Sequence, residues 1–128
     1  MVLASGWVGT GDIAIALTNV YFTACPKGQR DQLLVSAVPK SGGTVQQLAA
    51  INATSGPAGI TVGPNHVFLG RATGAMSGVV ESIVKTGGPV VDIASDPNGP
   101  LSVAVDANEA FVYWLDFNSG DVGRASLQ

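Results

Sequence analysis

Short runs of alternating apolar and polar residues fill the chain, and each run ends at Gly, Pro, Asn or Asp. Alternation with period 2 places every second side chain on the same face of a strand. Ile13-Ala14-Ile15-Ala16-Leu17, Ile60-Thr61-Val62 and Val103-Ala104-Val105 all have this form. Each is followed by a tight Asn-containing turn and a Val-aromatic run: Val20-Tyr21-Phe22, Val67-Phe68-Leu69 and Val112-Tyr113-Trp114. No stretch carries the longer 3.6-period pattern of a helix. The pattern therefore predicts an all-β protein.

The runs recur in order. Ile13 to Thr23 matches Ile60 to Gly70 and, with two extra turn residues, Val103 to Leu115. Val35-Ser36-Ala37-Val38-Pro39-Lys40-Ser41-Gly42-Gly43 matches Val80-Glu81-Ser82-Ile83-Val84-Lys85-Thr86-Gly87-Gly88. Leu3-Ala4-Ser5, Leu48-Ala49-Ala50 and Ile93-Ala94-Ser95 follow one another at steps of 45 residues. Four short strands per unit at this period predict a β-propeller, each unit being one blade. In chain order the strands of a blade are A, B, C and D. The repeats fall at about 11–51, 57–96 and 100–128, the last completed by 1–5, within one half-propeller domain of 128 residues.

These residues carry a resemblance. Gly99-Pro100-Leu101-Ser102-Val103-Ala104-Val105-Asp106, followed by Val112-Tyr113-Trp114-Leu115-Asp116, resembles the YWTD/NHL-like propeller repeats. Gly56-Pro57-Ala58-Gly59-Ile60-Thr61-Val62-Gly63-Pro64 is similar to repeats of the virginiamycin B lyase type. The resemblance implies a fold and leaves function open, because many activities share such repeats. A lyase of this type implies a histidine after the Gly-Pro that opens strand A. This chain has Ala58 and Leu101 there, with Asp12 near the matching place in the first repeat.

Three blades leave two apolar faces open, and propellers close with roughly 4 to 8 blades. The expectation is a homodimer with six blades, the usual count implied by the resemblance. Strand D of the third repeat is missing before Gln128, whereas Val2 to Ser5 has D-type sequence. The expected junction therefore pairs Val2, Leu3, Ala4 and Ser5 of one copy with Val122, Arg124, Ala125 and Leu127 of the other.

Composition trims the functional classes. Net charge is −3, and the six basic residues are scattered, which argues against nucleic acid or an anionic membrane as partner. Met1 to Trp7 lacks the basic segment and apolar core of a signal peptide, so the default compartment is the cytoplasm, with secretion left open. Cys25 is the single cysteine. Cys25 and His66 could in principle form a nucleophile pair, but they are expected on opposite faces of the disc. Asp116-Phe117-Asn118-Ser119-Gly120-Asp121 resembles part of a calcium loop, and it reads more simply as a hairpin turn. Asp96-Pro97-Asn98-Gly99 reads as a turn too. Asn52-Ala53-Thr54 has the form of a glycosylation acceptor. Trp7 is expected in a top-face loop, where it could stack on a ligand or cap the subunit junction, with Arg71, Lys27 and Arg30 adding polar contacts. Tyr21, Phe22, Phe68, Tyr113 and Trp114 are expected to pack the blades.

The leading reading is a non-enzymatic binding module. Its partners would be a second copy of itself and a small molecule, glycan or protein on the top face. No catalytic residue, metal ligand or cofactor is assigned. A metal-dependent lyase- or lactonase-like enzyme and a structural fragment without ligand are the alternatives.

Overall fold

The computed structural model describes residues 1–9, 11–52, 59–95 and 98–128. Its regular structure is all strand, in three antiparallel sheets. Sheet I contains β1 (Trp7–Val8), β2 (Ile13–Ile15), β3 (Asn19–Pro26), β4 (Gln32–Pro39) and β5 (Gln46–Asn52). Sheet II runs β6 (Gly59–Val62), β7 (His66–Gly74), β8 (Ser77–Val84) and β9 (Val91–Ser95). Sheet III has β10 (Pro100–Val105), β11 (Phe111–Asp116) and β12 (Val122–Ser126).

Each sheet is a meander whose hairpins follow from local chemistry. Between β10 and β11, the Asp106 carboxylate accepts from the Ala110 and Phe111 amides at 2.7 and 3.2 Å. It thereby holds the turn shut in the way short acidic side chains favour. The β4–β5 and β8–β9 connections use paired glycines at positive φ, Gly42 and Gly43 at 86° and 134°, Gly87 and Gly88 at 88° and 152°. That region is nearly closed to side-chain-bearing residues. The repeated Gly-Gly in the sequence is thus the repeat of a backbone geometry.

The sheets stack side by side through their first strands: β2 lies against β6, and β6 against β10. The junction of sheets I and II buries Tyr21, Leu33, Val35 and Leu48 from one side with Ile60, Val67, Leu69 and Ile83 from the other. At the junction of II and III, Phe68 and Val80 meet Val112, with Val103, Val105 and Trp114 packed around them. A strand residue and its direct partner share a face. Sheet II therefore sends Ile60, Leu69, Val67 and Ile83 toward sheet I, and Phe68 and Val80 toward sheet III.

Two sequence expectations need adjustment. Trp7 lies in strand β1 and not in a loop, because Trp7 and Val8 pair with Pro26 and Cys25 as an outlying piece of the first strand. Arg71 is likewise in a strand, since β7 continues to Gly74 and its ladder with β8 includes Arg71↔Val79. Residues 1–5 have the sequence of an outer strand and form no ladder with any described residue.

Candidate functional site

The outer faces of sheets I and III expose apolar side chains. Beyond the I–II junction, the far side of sheet I carries Ile13, Ile15, Val20, Phe22 and Val38. Ile13 pairs with Phe22, and Ile15 with Val20, which pairs in turn with Val38. Ile13 is 61% exposed and Ile15 64%. Trp7 packs edge-on to Phe22 at 5.3 Å and joins this face. The far side of sheet III carries Ala104, Tyr113 and Arg124 in one rung, with Leu115 and Val122 paired in another. Val122 is 75% exposed. The Arg124 guanidinium sits 4.8 Å from the Phe111 ring centre, covering part of this face.

Ladder positions show what these faces are. The rungs Ile13↔Phe22 and Ile15↔Val20 of sheet I occupy the places of Ile60↔Leu69 and Val62↔Val67 in sheet II, and of Val103↔Trp114 and Val105↔Val112 in sheet III. In sheets II and III that face is covered by the preceding sheet. The Tyr113 face of sheet III corresponds to the Tyr21 and Phe68 faces, which are covered by the following sheet. The two open faces are thus the two halves of a junction that the molecule already makes twice.

Polar side chains stitch the existing junctions. Asp12 accepts from the Ile60 amide at 3.2 Å and from the Ile13 amide at 2.8 Å. Glu109 reaches from sheet III to the first turn of sheet II. One carboxylate oxygen accepts from the Asn65 and His66 amides at 2.6 and 2.8 Å, and the other lies 2.9 Å from His66 Nδ1. Gly63 leaves the space for it, since a β-carbon there would collide with the Glu109 side chain. Burial pushes the Glu109 carboxyl up. The hydrogen bonds from the His66 ring and the Asn65 and His66 amides, with the His66 charge, outweigh it and hold the group below the ordinary carboxylate range.

The residues singled out in the sequence are dispersed. Trp7 lies on the open face of sheet I, half-buried. Arg71 makes a bidentate pair with buried Glu81, both contacts at 2.8 Å. The Glu81 hydrogen bond raises the guanidinium's pKa against the cost of burial. Lys27 and Arg30 are exposed in the β3–β4 connection, and the cleft that Arg71 lines has neither of them in its wall. Cys25 is buried, its thiol donating to the Arg30 carbonyl at 3.6 Å, while His66 is held by Glu109. Asn118 takes part in a turn and straps two sheets, its amide donating to the Ala75 and Asn98 carbonyls, both at 3.1 Å. Among the described residues no three His, Cys, Asp or Glu side chains gather at metal-binding spacing. Asp96 and Pro97, and Ala53 and Thr54 of the glycosylation pattern, lie outside the described residues. Of the junction set, Val122 and Arg124 project from the open face of sheet III, whereas Ala125 and Leu127 pack toward sheet II. Ile13, Ile15 and Phe22 carry the corresponding face of sheet I, and their alternation was the signal for it.

No family model matches the chain, and no curated protein matches it. A solved structure does: a chain in the crystal structure of a nidogen/laminin complex, at TM-score 0.63 and 13% identity over 94% of this chain. That neighbour is a β-propeller. The fold is therefore shared with a propeller, and sheets I, II and III are called blades I, II and III below. The match spans 61% of the other chain's length.

Proposed function

We propose that this chain is a protein-interaction module, a set of three propeller blades that closes into a six-bladed ring with a second copy. The observation that carries the proposal is the pair of open faces. The Ile13–Phe22 side of blade I and the Tyr113–Val122 side of blade III are counterparts of faces that meet at both internal junctions. Two copies related by a two-fold axis along the ring would cover all four open faces through two identical junctions. Exposed apolar surface of this extent otherwise favours association. Trp7, on one open face, would cap the junction. A protein ligand is the partner class most in keeping with the neighbour, a propeller found in a two-protein complex. The proposed ligand surface is the top face, where Lys27 and Arg30 are exposed.

The test is solution mass by light scattering across a dilution series. Wild type is expected at two chains throughout. Phe22→Asp, which places a charge in the centre of the junction, should reduce the mass to one chain. A wild-type monomer at every concentration would refute the ring.

A further inference from the structure

The N-terminal residues, which form no ladder with any described residue, already occupy a specific place. Leu48 of blade I is 5% exposed and belongs to the core cluster that holds Val67, Leu69 and Ile83 of blade II. Leu3 lines a cleft with Val20, Phe22 and Val38, which are the same three ladder positions one blade earlier. Gln46 donates to the Thr86 carbonyl at 3.5 Å, and the Leu48 backbone comes close to Gly87. Met1 lies against Gly42, where an added β-carbon would come within 2.7 Å of its methyl group. Gly42 is the counterpart of Gly87, and Met1 and Leu3 are the counterparts of Gln46 and Leu48. Met1 to Leu3 thus run along blade I as the outer strand of blade I runs along blade II.

We infer that residues 1–5 are the outer strand of a blade whose other three strands, β10, β11 and β12, come from a second copy of the chain. This inference rests on the ring proposed above and adds to it an exchanged strand with a defined register. In blade I, Leu34 pairs with Ala50 and Val35 with Ala49, then Ser36 pairs with Gln47, so that Leu48 is bulged out of the ladder. In blade II, Val79 pairs with Ser95 and Val80 with Ala94, then Glu81 pairs with Asp92, so that Ile93 is bulged. Bulges are positioned features that re-aim a side chain, and here they turn Leu48 and Ile93 into the adjoining junctions. The rungs Val67↔Ile83 and Val112↔Ala125 align β12 with β8 and place Asp121 at the position of Val79 and Val122 at that of Val80. In the exchanged strand Ser5 then lies opposite the second copy's Asp121, Ala4 opposite its Val122, and Val2 opposite its Gly123. Leu3 is the bulged residue. The outer edge of β12, which pairs with no strand among the described residues, receives the new ladder.

Paired cysteines read the register directly, because side chains directly opposite on antiparallel strands lie about 4.5–5.5 Å apart at Cβ and a disulfide needs nearly that approach. Ser5 and Asp121 are both exposed, so their replacement should leave folding intact. In Ser5→Cys/Asp121→Cys, mild oxidation should link most chains into a species of twice the mass on a non-reducing denaturing gel, reversed by reductant. Ser5→Cys/Val122→Cys points its thiols to opposite faces and should link at least tenfold less. Wild type, with its one buried cysteine, is the blank. A native two-chain mass without the Ser5–Asp121 link, or with the shifted pair linking better, would overturn the exchanged strand and leave the ring standing. A link formed within one chain would also overturn the exchange. A one-chain native mass would remove both ring and exchange.

Discussion

The two junctions inside the chain solve one packing problem by different means. Between blades I and II a broad apolar layer extends from the inner strands to Leu48 and Ile51, with Asp12 as a cross-junction hydrogen-bond acceptor. Between blades II and III the fully buried apolar set is smaller, Phe68, Val80 and Val112. There the polar ties are stronger: Glu109 clamps a turn and a histidine ring, and Asn118 holds the opposite end. Glu109 takes up its position with φ at 52°, an unusual conformation for a side-chain-bearing residue. Apolar burial tolerates drift in position, whereas a three-point carboxylate clamp fixes register. The junction with the smaller buried apolar set is therefore the one whose register polar contacts fix.

Neighbouring residues on β7 allow each junction to be loosened separately. Phe68 faces blade III and Leu69 faces blade I, both essentially buried. Phe68→Ala should cost about 3–5 kcal/mol, and Leu69→Ala about 2–5 kcal/mol, from lost burial plus the cavity left behind. Denaturant unfolding measures both. If either variant unfolds at the wild-type midpoint, that junction does not carry the load assigned to it. Glu109→Gln should cost less, about 1–2 kcal/mol, by weakening hydrogen bonds to a charged acceptor. Because the Glu109 pKa is depressed on folding, its contribution is present above the unfolded value of about 4.3 and is lost as pH falls through the lower folded value. The gap in stability between wild type and Glu109→Gln should therefore be constant near neutrality and close below about pH 4. A gap unchanged by acid would show that the carboxylate charge is not what matters. Asp12→Ala should have the smallest effect, about 0.5–1.5 kcal/mol for its hydrogen bonds in a junction that burial already holds.

Strands and turns were legible in the sequence because they rest on local signals. Alternation set the faces, and Gly42-Gly43 and Gly87-Gly88 marked the turns. Interruptions were harder to see. Trp7 and Val8 belong to the first strand although Gly9, at φ 57°, breaks the run. Arg71 looked like a loop cation because it opens the segment Arg71-Ala72-Thr73-Gly74. Cross-strand pairing and buried Glu81 carry the strand past it, as context often overrides local preference in sheets. The Glu109 clamp was invisible, since its partners lie 43 and 44 residues earlier and no periodic pattern connects them.

The interchangeability of junction faces has a geometric consequence for assembly size. When every blade offers the same leading and trailing surface, side-chain chemistry cannot count blades, and the turn angle from one blade to the next must do so. A chain cut to two of these blades would keep both surfaces. On the proposed ring of six it would close as a trimer, and a small change in that angle would turn a closed ring into an open helix of chains.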